Sequence, residues 1–285
     1  MADHPAGPLA TAQQYRAAIE SLELWLARDP GAAELARTLE RVVRFEVENG
    51  VPEEERFSAR LAGYGRKLAA RTAVISDIHG NHAGLVAALA DIERQGCDHI
   101  VCLGDLVDGG PHNEAVIETL QQRGIPCVRG NHDEINDVEL PGAMRSFLLD
   151  LPERIVEDNV LYIHTSPRKN QRKINHAVEA WNVFDDTKFR LMFIGHVHEP
   201  LIFGMHSTAY GEAAKHAFTY NQPFTLSPED RYIVSVGAIG YGRDQVGKVR
   251  YAIYDRNADS IELRAIEGPV LALDWAVGAR RAEAS

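Results

Sequence analysis

The chain has 285 residues, enough for one large domain or for a domain with a smaller appendage. Hydrophobic residues make up 45% and charged residues 25%, which excludes a disordered or fibrous chain. The net charge of −11 lacks the basic footprint that long nucleic acid requires, although bound metal can still reverse the local sign for a small anionic substrate.

Up to about residue 70 the sequence reads as helical. Apolar residues recur at helical spacing at Ile19, Leu22, Trp25 and Leu26, and again at Leu35, Leu39, Val42, Val43 and Val47. Breakers at Asp29-Pro30-Gly31 and Asn49-Gly50-Val51-Pro52 divide two helices, and a third is expected from Glu53 to Leu68. No chemistry is legible there. The expected organisation is a helical extension over 1–70, acting as a cap or a homo-oligomer contact, and a main domain over 71–285. Met1–Ala10 lacks the basic and then apolar pattern of a leader, and no run reaches the length of a membrane span, so a soluble cytoplasmic protein with no membrane partner is expected. Cys97, Cys102 and Cys127 form no disulfide framework and read as small buried apolar residues.

From Arg71 the pattern changes. Thr72 to Ser76 is a short β-branched run followed by Asp77-Ile78-His79-Gly80-Asn81, and then a helical pattern through Leu85, Val86, Leu89 and Ile92. His99 to Leu103 is a second strand ending in Gly104-Asp105, with a helix after it through Val116, Ile117 and Leu120. Ile125 to Arg129 reads as a third strand, ending in Gly130-Asn131-His132-Asp133. This alternation predicts a parallel sheet with helices, whose ligands bind at the carboxyl ends of the strands. Further on, Val160 to Ile163 runs into His164, and Leu191 to Ile194 into Gly195-His196-Val197-His198. With these two runs, strands at Tyr232 to Val236, Val249 to Tyr254 and Ser260 to Ile266 predict a second sheet packed on the first. The long polar stretch from Met205 to Asp230 is expected to be a lid or binding loop.

The strand ends converge on metal-competent side chains: Asp77 and His79, Asp105, Asn131, His164, and His196 with His198. This mix of oxygen and imidazole donors suits Mn, Fe, Zn or Ni. Two His one residue apart in an extended segment face opposite ways, so a tight turn or a pair of metals is needed to use both. Phosphate esters resist hydrolysis because the nucleophile must approach an anion. A metal pair about 3.5–4 Å apart answers this by binding phosphoryl oxygens and activating a bridging hydroxide. Such a pair needs a shared carboxylate, for which Asp105 is the candidate. His132 is placed to protonate the leaving group, Asp108 to orient His132, and Arg129 to contact phosphoryl oxygens. His112 and His206 are lesser candidates for lining the pocket. The basic run Lys169, Arg172 and Lys173 is either a solvated loop or guidance for an anionic substrate.

The motifs Asp77-Ile78-His79-Gly80-Asn81, Gly104-Asp105-Leu106-Val107-Asp108, Gly130-Asn131-His132-Asp133 and Gly195-His196-Val197-His198 together resemble the signature set of calcineurin-like metallophosphoesterases. Within that superfamily the chain is most similar to the small bacterial and archaeal YfcE-like phosphodiesterase branch, through Gly109-Gly110-Pro111, His164-Thr165-Ser166-Pro167-Arg168 and Gly237-Ala238-Ile239-Gly240. The resemblance implies an α/β, four-layer fold: two packed mixed β-sheets flanked by helices. It implies Asp77, His79 and His198 on a first metal and Asn131, His164 and His196 on a second, with Asp105 bridging. It further implies His132 as proton donor, Asp108 as its orienting partner, and Asn131 and Arg129 beside the substrate. The cofactor is then two divalent ions, with Mn favoured for activity, and the partner a small, nucleotide-like phosphate ester. Dinucleoside polyphosphate hydrolysis, protein phosphatase activity and a non-enzymatic interaction scaffold are the alternatives. The protein phosphatases of the superfamily carry an Arg directly after the position of Asp108, where this chain has Gly109.

Overall fold

The computed structural model describes residues 70–171, 173–243 and 247–272, with 15, 18, 19, 41, 42, 44–51 and 56 before them. By its internal contacts the chain divides into two compact units, Met1–Leu68 and Ala69–Ser285. In the first unit the Tyr15 hydroxyl donates to Glu46 at 2.7 Å, and its ring stacks on Phe45 with centroids 4.8 Å apart. Gly50, at φ +63°, stands where the sequence predicts a helix end. The expected third helix, apart from Arg56, and much of the first two lie outside the described residues.

The second unit opens with β1 (Arg71–Ile75), α1 (His82–Arg94), β2 (His99–Cys102) and α2 (Asn113–Gln122). There follow the single turn α3 (Asn131–Glu134), α4 (Gly142–Asp150), β3 (Arg154–Glu157) and β4 (Val160–Ile163). Next come α5 (Ala177–Asp186), β5 (Leu191–Ile194), β6 (Pro200–Gly204) and β7 (Ala214–Lys215). The last strands are β8 (Pro223–Thr225), β9 (Tyr232–Val236), β10 (Lys248–Asp255) and β11 (Ser260–Glu267). They build two mixed sheets, ordered β2-β1-β10-β11-β8 and β3-β4-β5-β9-β6-β7.

Side-chain alternation along the strands makes the layers. In β1, Ala73 and Ile75 face a core shared with Leu85, Leu89 and Ile92 of α1 and with Val116, Ile117 and Leu120 of α2. Val74, between them, faces the other way into a core between the sheets, with Tyr162, Phe193, Val234 and Tyr254. The outer face of the second sheet, through Leu161, Met192 and Ile233, packs on Ala180, Val183 and Phe184 of α5. The result is helix, sheet, sheet, helix, the four-layer α/β arrangement that the family resemblance implies. Each fully buried Leu or Ile in these cores contributes about 1.5–3 kcal/mol.

Three expectations need correction. Ile125 to Arg129 is not a strand but a single parallel bridge, Cys102 to Cys127. Pro126 has no N–H to donate, and only its carbonyl and the Val128 N–H bond to Cys102, at 2.9 Å each. The later strands do not all join the second sheet: β9 lies there beside β5, but β10 and β11 return to the first, with β10 antiparallel to β1, so that sheet is mixed rather than parallel. Nor does 205–230 form a lid. Its strands β7 and β8 pair with opposite sheets, and Phe218, Tyr220 and Phe224 pack into the core between them, so the segment closes the edge of the sandwich. His206 pairs with Asp230 at 3.2 Å, where β6 and β9 meet at Gly204 and Tyr232, the ends opposite Pro200 and Val236.

Candidate metal centre

Every expected donor lies in a loop that leaves a strand at its carboxyl end or just after the bridge at Cys127. Asp77 and His79 follow β1, Asp105 follows β2, Asn131 opens α3, His164 follows β4, and His196 and His198 follow β5. The loops are tied together through backbone. The amides of Asp77, His79 and Gly80 donate to the carbonyls of Gly104, Asp105 and Leu106 at 2.9–3.0 Å, and Gly240 donates to Asp77 at 2.8 Å. Asn81 caps α1 by accepting from Gly84 and donates to the carbonyls of Ile239 and Pro269, which joins the loops after β1 and β9. Asp77, His79, Asp105, Asp108, His196 and His198 all have φ between +51° and +71°. For a non-glycine residue that conformation costs about 1–2 kcal/mol. Six such residues in one place mean that the surrounding packing holds the site in shape.

The turn that uses both late histidines is now visible. Val197 N–H bonds to Gly195 O at 2.7 Å, and His196 and His198, each left-handed, face two different groups. Gly195 is required here, because a Cβ would overlap Ser76 Oγ and come within 2.7 Å of Asp77 Oδ2. The first group is Asp77, His79, Asp105 and His198, and the second is Asp105, His164 and His196. Within each, the donor atoms lie within 4.8 Å of one another. Asp105 belongs to both, as the candidate shared carboxylate must. Asn131 joins the second group, with its Oδ1 3.1 Å from His164 Nε2.

The imidazoles are set to present Nε2. The Nδ1 atoms of His79, His164 and His198 lie 2.7, 2.7 and 3.0 Å from the carbonyls of Asp108, Leu103 and Tyr241, so each Nδ1 carries the proton. His79 Nε2 and His198 Nε2 then face each other at 3.2 Å, with Asp77 Oδ1 3.0 Å from the latter. Neutral rings would meet lone pair to lone pair, so the contact calls for a proton on one of them or a metal ion against both. The charges around them point the same way. Burial works to raise Asp77, but the imidazoles of His198, His164 and His79 outweigh it and hold the carboxyl well below the usual range. Burial lowers His79, and burial beside His164 pushes His196 down to about 4. His164 is the exception: burial opposes its charge, yet Asp105 outweighs burial and pushes it up to about 9. Buried oxygen and imidazole donors of this number and mix fit divalent transition ions.

His132 stands beside this cluster. Its amide donates to Asp105 Oδ1 at 2.8 Å, its Nδ1 lies 2.6 Å from Asp108 Oδ2, and its ring meets His79 edge to face at 4.9 Å. Its side chain is 38% exposed, with Nδ1 the ring nitrogen turned to Asp108. A cleft of about 400 Å³ opens off the second group, past Asn131, His164 and His196.

Residues 70–208 match the family described as calcineurin-like phosphoesterase. The chain carries a calcineurin-like metallophosphoesterase domain. Its chemistry is accordingly that of a metal-dependent phosphoester hydrolase. A crystal structure of a metallophosphoesterase from Sphaerobacter thermophilus is similar, with 28% identity and a TM-score of 0.63 over 75% of this chain and 94% of that one. The protein MJ0912 of Methanocaldococcus jannaschii is 28% identical over 224 residues, 68% of this chain and 86% of the relative. The crystal structure of protein PH1004 from Pyrococcus horikoshii shares the fold at 17% identity and a TM-score of 0.51, over 75% and 92% of the two chains.

Arg129 lines the phosphoesterase cleft, but its guanidinium is tied into the wall. It donates to Leu149 O at 2.6 Å and pairs with Glu153 at 3.6 Å. His112 is exposed at the start of α2, its amide on Gly80 O. Cys102 and Cys127 are free and buried, while Cys97 is half-buried. Two residues of the site escape sequence reasoning. Asp133 accepts from the amides of Asp105, Leu106 and Gly130 at 2.8–2.9 Å and so fixes the shared carboxylate's loop against that of His132. Burial and the nearby Asp105 push it up to about 6. Its only signal was its place in the motif after His132. Tyr241 lays its ring over His79 and His198 at 5.2 and 4.4 Å, and no spacing in the sequence points to it.

Proposed function

We propose that the domain hydrolyses small, nucleotide-like phosphate diesters or monoesters at a two-metal centre. Asp77, His79 and His198 would hold one divalent ion, Asn131, His164 and His196 the other, and Asp105 would be shared. The observation that carries this reading is the opposed pair of His79 and His198 Nε2 atoms at 3.2 Å, each ring with its Nδ1 at a carbonyl, against the Asp77 and Asp105 carboxylates. Divalent ions bound there, Mn, Fe, Zn or Ni by the donor chemistry, would polarise phosphoryl oxygens and acidify a water.

The chain's own groups supply the rest. His132 Nε2 would supply a proton to the departing alkoxide, and Asp108 on Nδ1 fixes the ring. The His132 amide and the Asp133 clamp keep the Asp105 carboxylate aimed. Gly109, at φ +148° and with a virtual Cβ 3.0 Å from His79 Cβ, would take a side chain only under strain, and it stands where protein phosphatases of the superfamily carry an arginine. That favours a small ester over a phosphoprotein. Intact His132 and Asp108 weigh against a purely structural scaffold.

The test is turnover of bis-p-nitrophenyl phosphate by the Mn(II)-loaded protein. Release of p-nitrophenol that disappears in His132→Ala, with metal content kept, supports the assignment. No turnover of any mono- or diester overturns it.

A further inference from the structure

The cleft beside the second set of donors carries its own charge pattern. Four cationic side chains line it, Arg129, Arg154, Arg168 and Lys169, against two carboxylates, Glu134 and Glu153, in a chain of net charge −11. Two of the cations are committed. Arg129 is held by Leu149 O and Glu153, and Arg168 donates to Asn182 O at 2.6 Å and pairs with Asp186 at 3.0 Å. Arg154 and Lys169 have no ion-pair partner among the described residues, and both are exposed. They come from one hairpin edge: Arg154 sits across from Ile163 in the β3–β4 pair, and Lys169 follows five residues after His164. Thr165 and Ser166 add hydroxyls to the same wall. The volume, about 400 Å³, suits a nucleotide-sized group. His132 packs against His79 of the other donor set and does not line the cleft. An occupant of the cleft therefore lies away from the proton donor, on the side of the ester that stays on phosphorus.

We infer that this cleft takes a second anionic group of the substrate, a phosphate on its non-leaving side, and that Arg154 and Lys169 bind it. The inference rests on the hydrolase reading above and narrows its substrate class to phosphoesters bearing a further phosphate.

A matched pair of chromogenic esters tests it: thymidine 5′-(p-nitrophenyl phosphate) and the same compound with a 3′-phosphate, each with the full Mn(II)-loaded chain. The 3′-phosphorylated ester is expected to show a KM about tenfold lower, from its pairing with two exposed cations. The ratio of the two KM values falls to near one in the double variant Arg154→Ala, Lys169→Ala, and in high salt. It survives in Arg154→Lys, Lys169→Arg. Equal KM values in the parent protein, or a preference that persists in the double alanine variant, would overturn the inference. Failure on these esters by protein that hydrolyses bis-p-nitrophenyl phosphate overturns the inference alone. Failure on all three removes the hydrolase reading with it.

Discussion

Asp105 is the residue on which both donor sets converge, and its environment is built for a charged carboxylate. One oxygen accepts the His132 amide at 2.8 Å and the other lies 3.1 Å from His164 Nε2. Asp105→Asn keeps the shape and loses the charge, so it should lower metal content and cut turnover by at least about 100-fold, as read by metal analysis and steady-state kinetics. His132→Gln should behave differently, with kcat falling by about 10²–10⁴ while bound metal stays at the parent level. A loss of metal equal to that of Asp105→Asn would make His132 a ligand instead. His164 gives a pH prediction. Its pKa in the metal-free fold is raised from 6.5 to about 9, so the imidazolium contributes stability that is full below pH 6.5 and is lost as pH rises through 9. A metal ion held by His164 would displace that proton. Calorimetry in buffers of different ionisation enthalpy should show proton release on metal binding at pH 7, with apparent affinity rising toward pH 9. Binding without proton release would count against His164 as a ligand.

At the level of elements, the site is a set of strand-to-loop turns, and those after β1, β2 and β5 pass through left-handed residues to bring their donors inward. Gly195 leaves no space for a side chain in the turn before His196. Gly195→Ala should cost about 1–3 kcal/mol by overpacking against Ser76 and Asp77, and should weaken metal binding as well. Thermal denaturation with and without metal reads both, and a variant with parent stability and affinity would show the turn to be looser than described. The donors were legible in the sequence because each sits directly after an apolar run, and a run that ends in Gly-Asp or Gly-His announces a turn. Asp133 and Tyr241 were not, because their contribution is made through backbone amides and ring faces that have no one-dimensional signature. The strand at Ile125–Arg129 misled for a related reason: its apolar residues do fill the core, but Pro126 leaves it too few donors for a ladder.

For the whole phosphoesterase unit, periodicity gave the strands but not their partners. An alternating run such as Lys248–Asp255 looks the same in either sheet, and only the pairing of β10 with β1 shows that the chain returns to the first. The segment from 205 to 230 is polar where it meets solvent, which made it look like a lid, yet its aromatic residues close the sandwich edge. Phe218→Ala should therefore lower stability by roughly 1–3 kcal/mol and leave KM and kcat for bis-p-nitrophenyl phosphate at parent values. A change in KM without a change in stability would restore a role at the site. Among the described residues no helix is long and apolar enough to cross a membrane. The helical character expected of 1–70 remains a proposal for that unit, as a cap or a contact between copies. The two donor sets are the point on which the functional account turns, and metal stoichiometry linked to activity tests them directly. After reconstitution with Mn(II), the protein should hold about two ions per chain, and stepwise chelation should abolish turnover of bis-p-nitrophenyl phosphate, with re-addition restoring it. Fewer than one ion per chain, or turnover indifferent to chelation, would contradict the account.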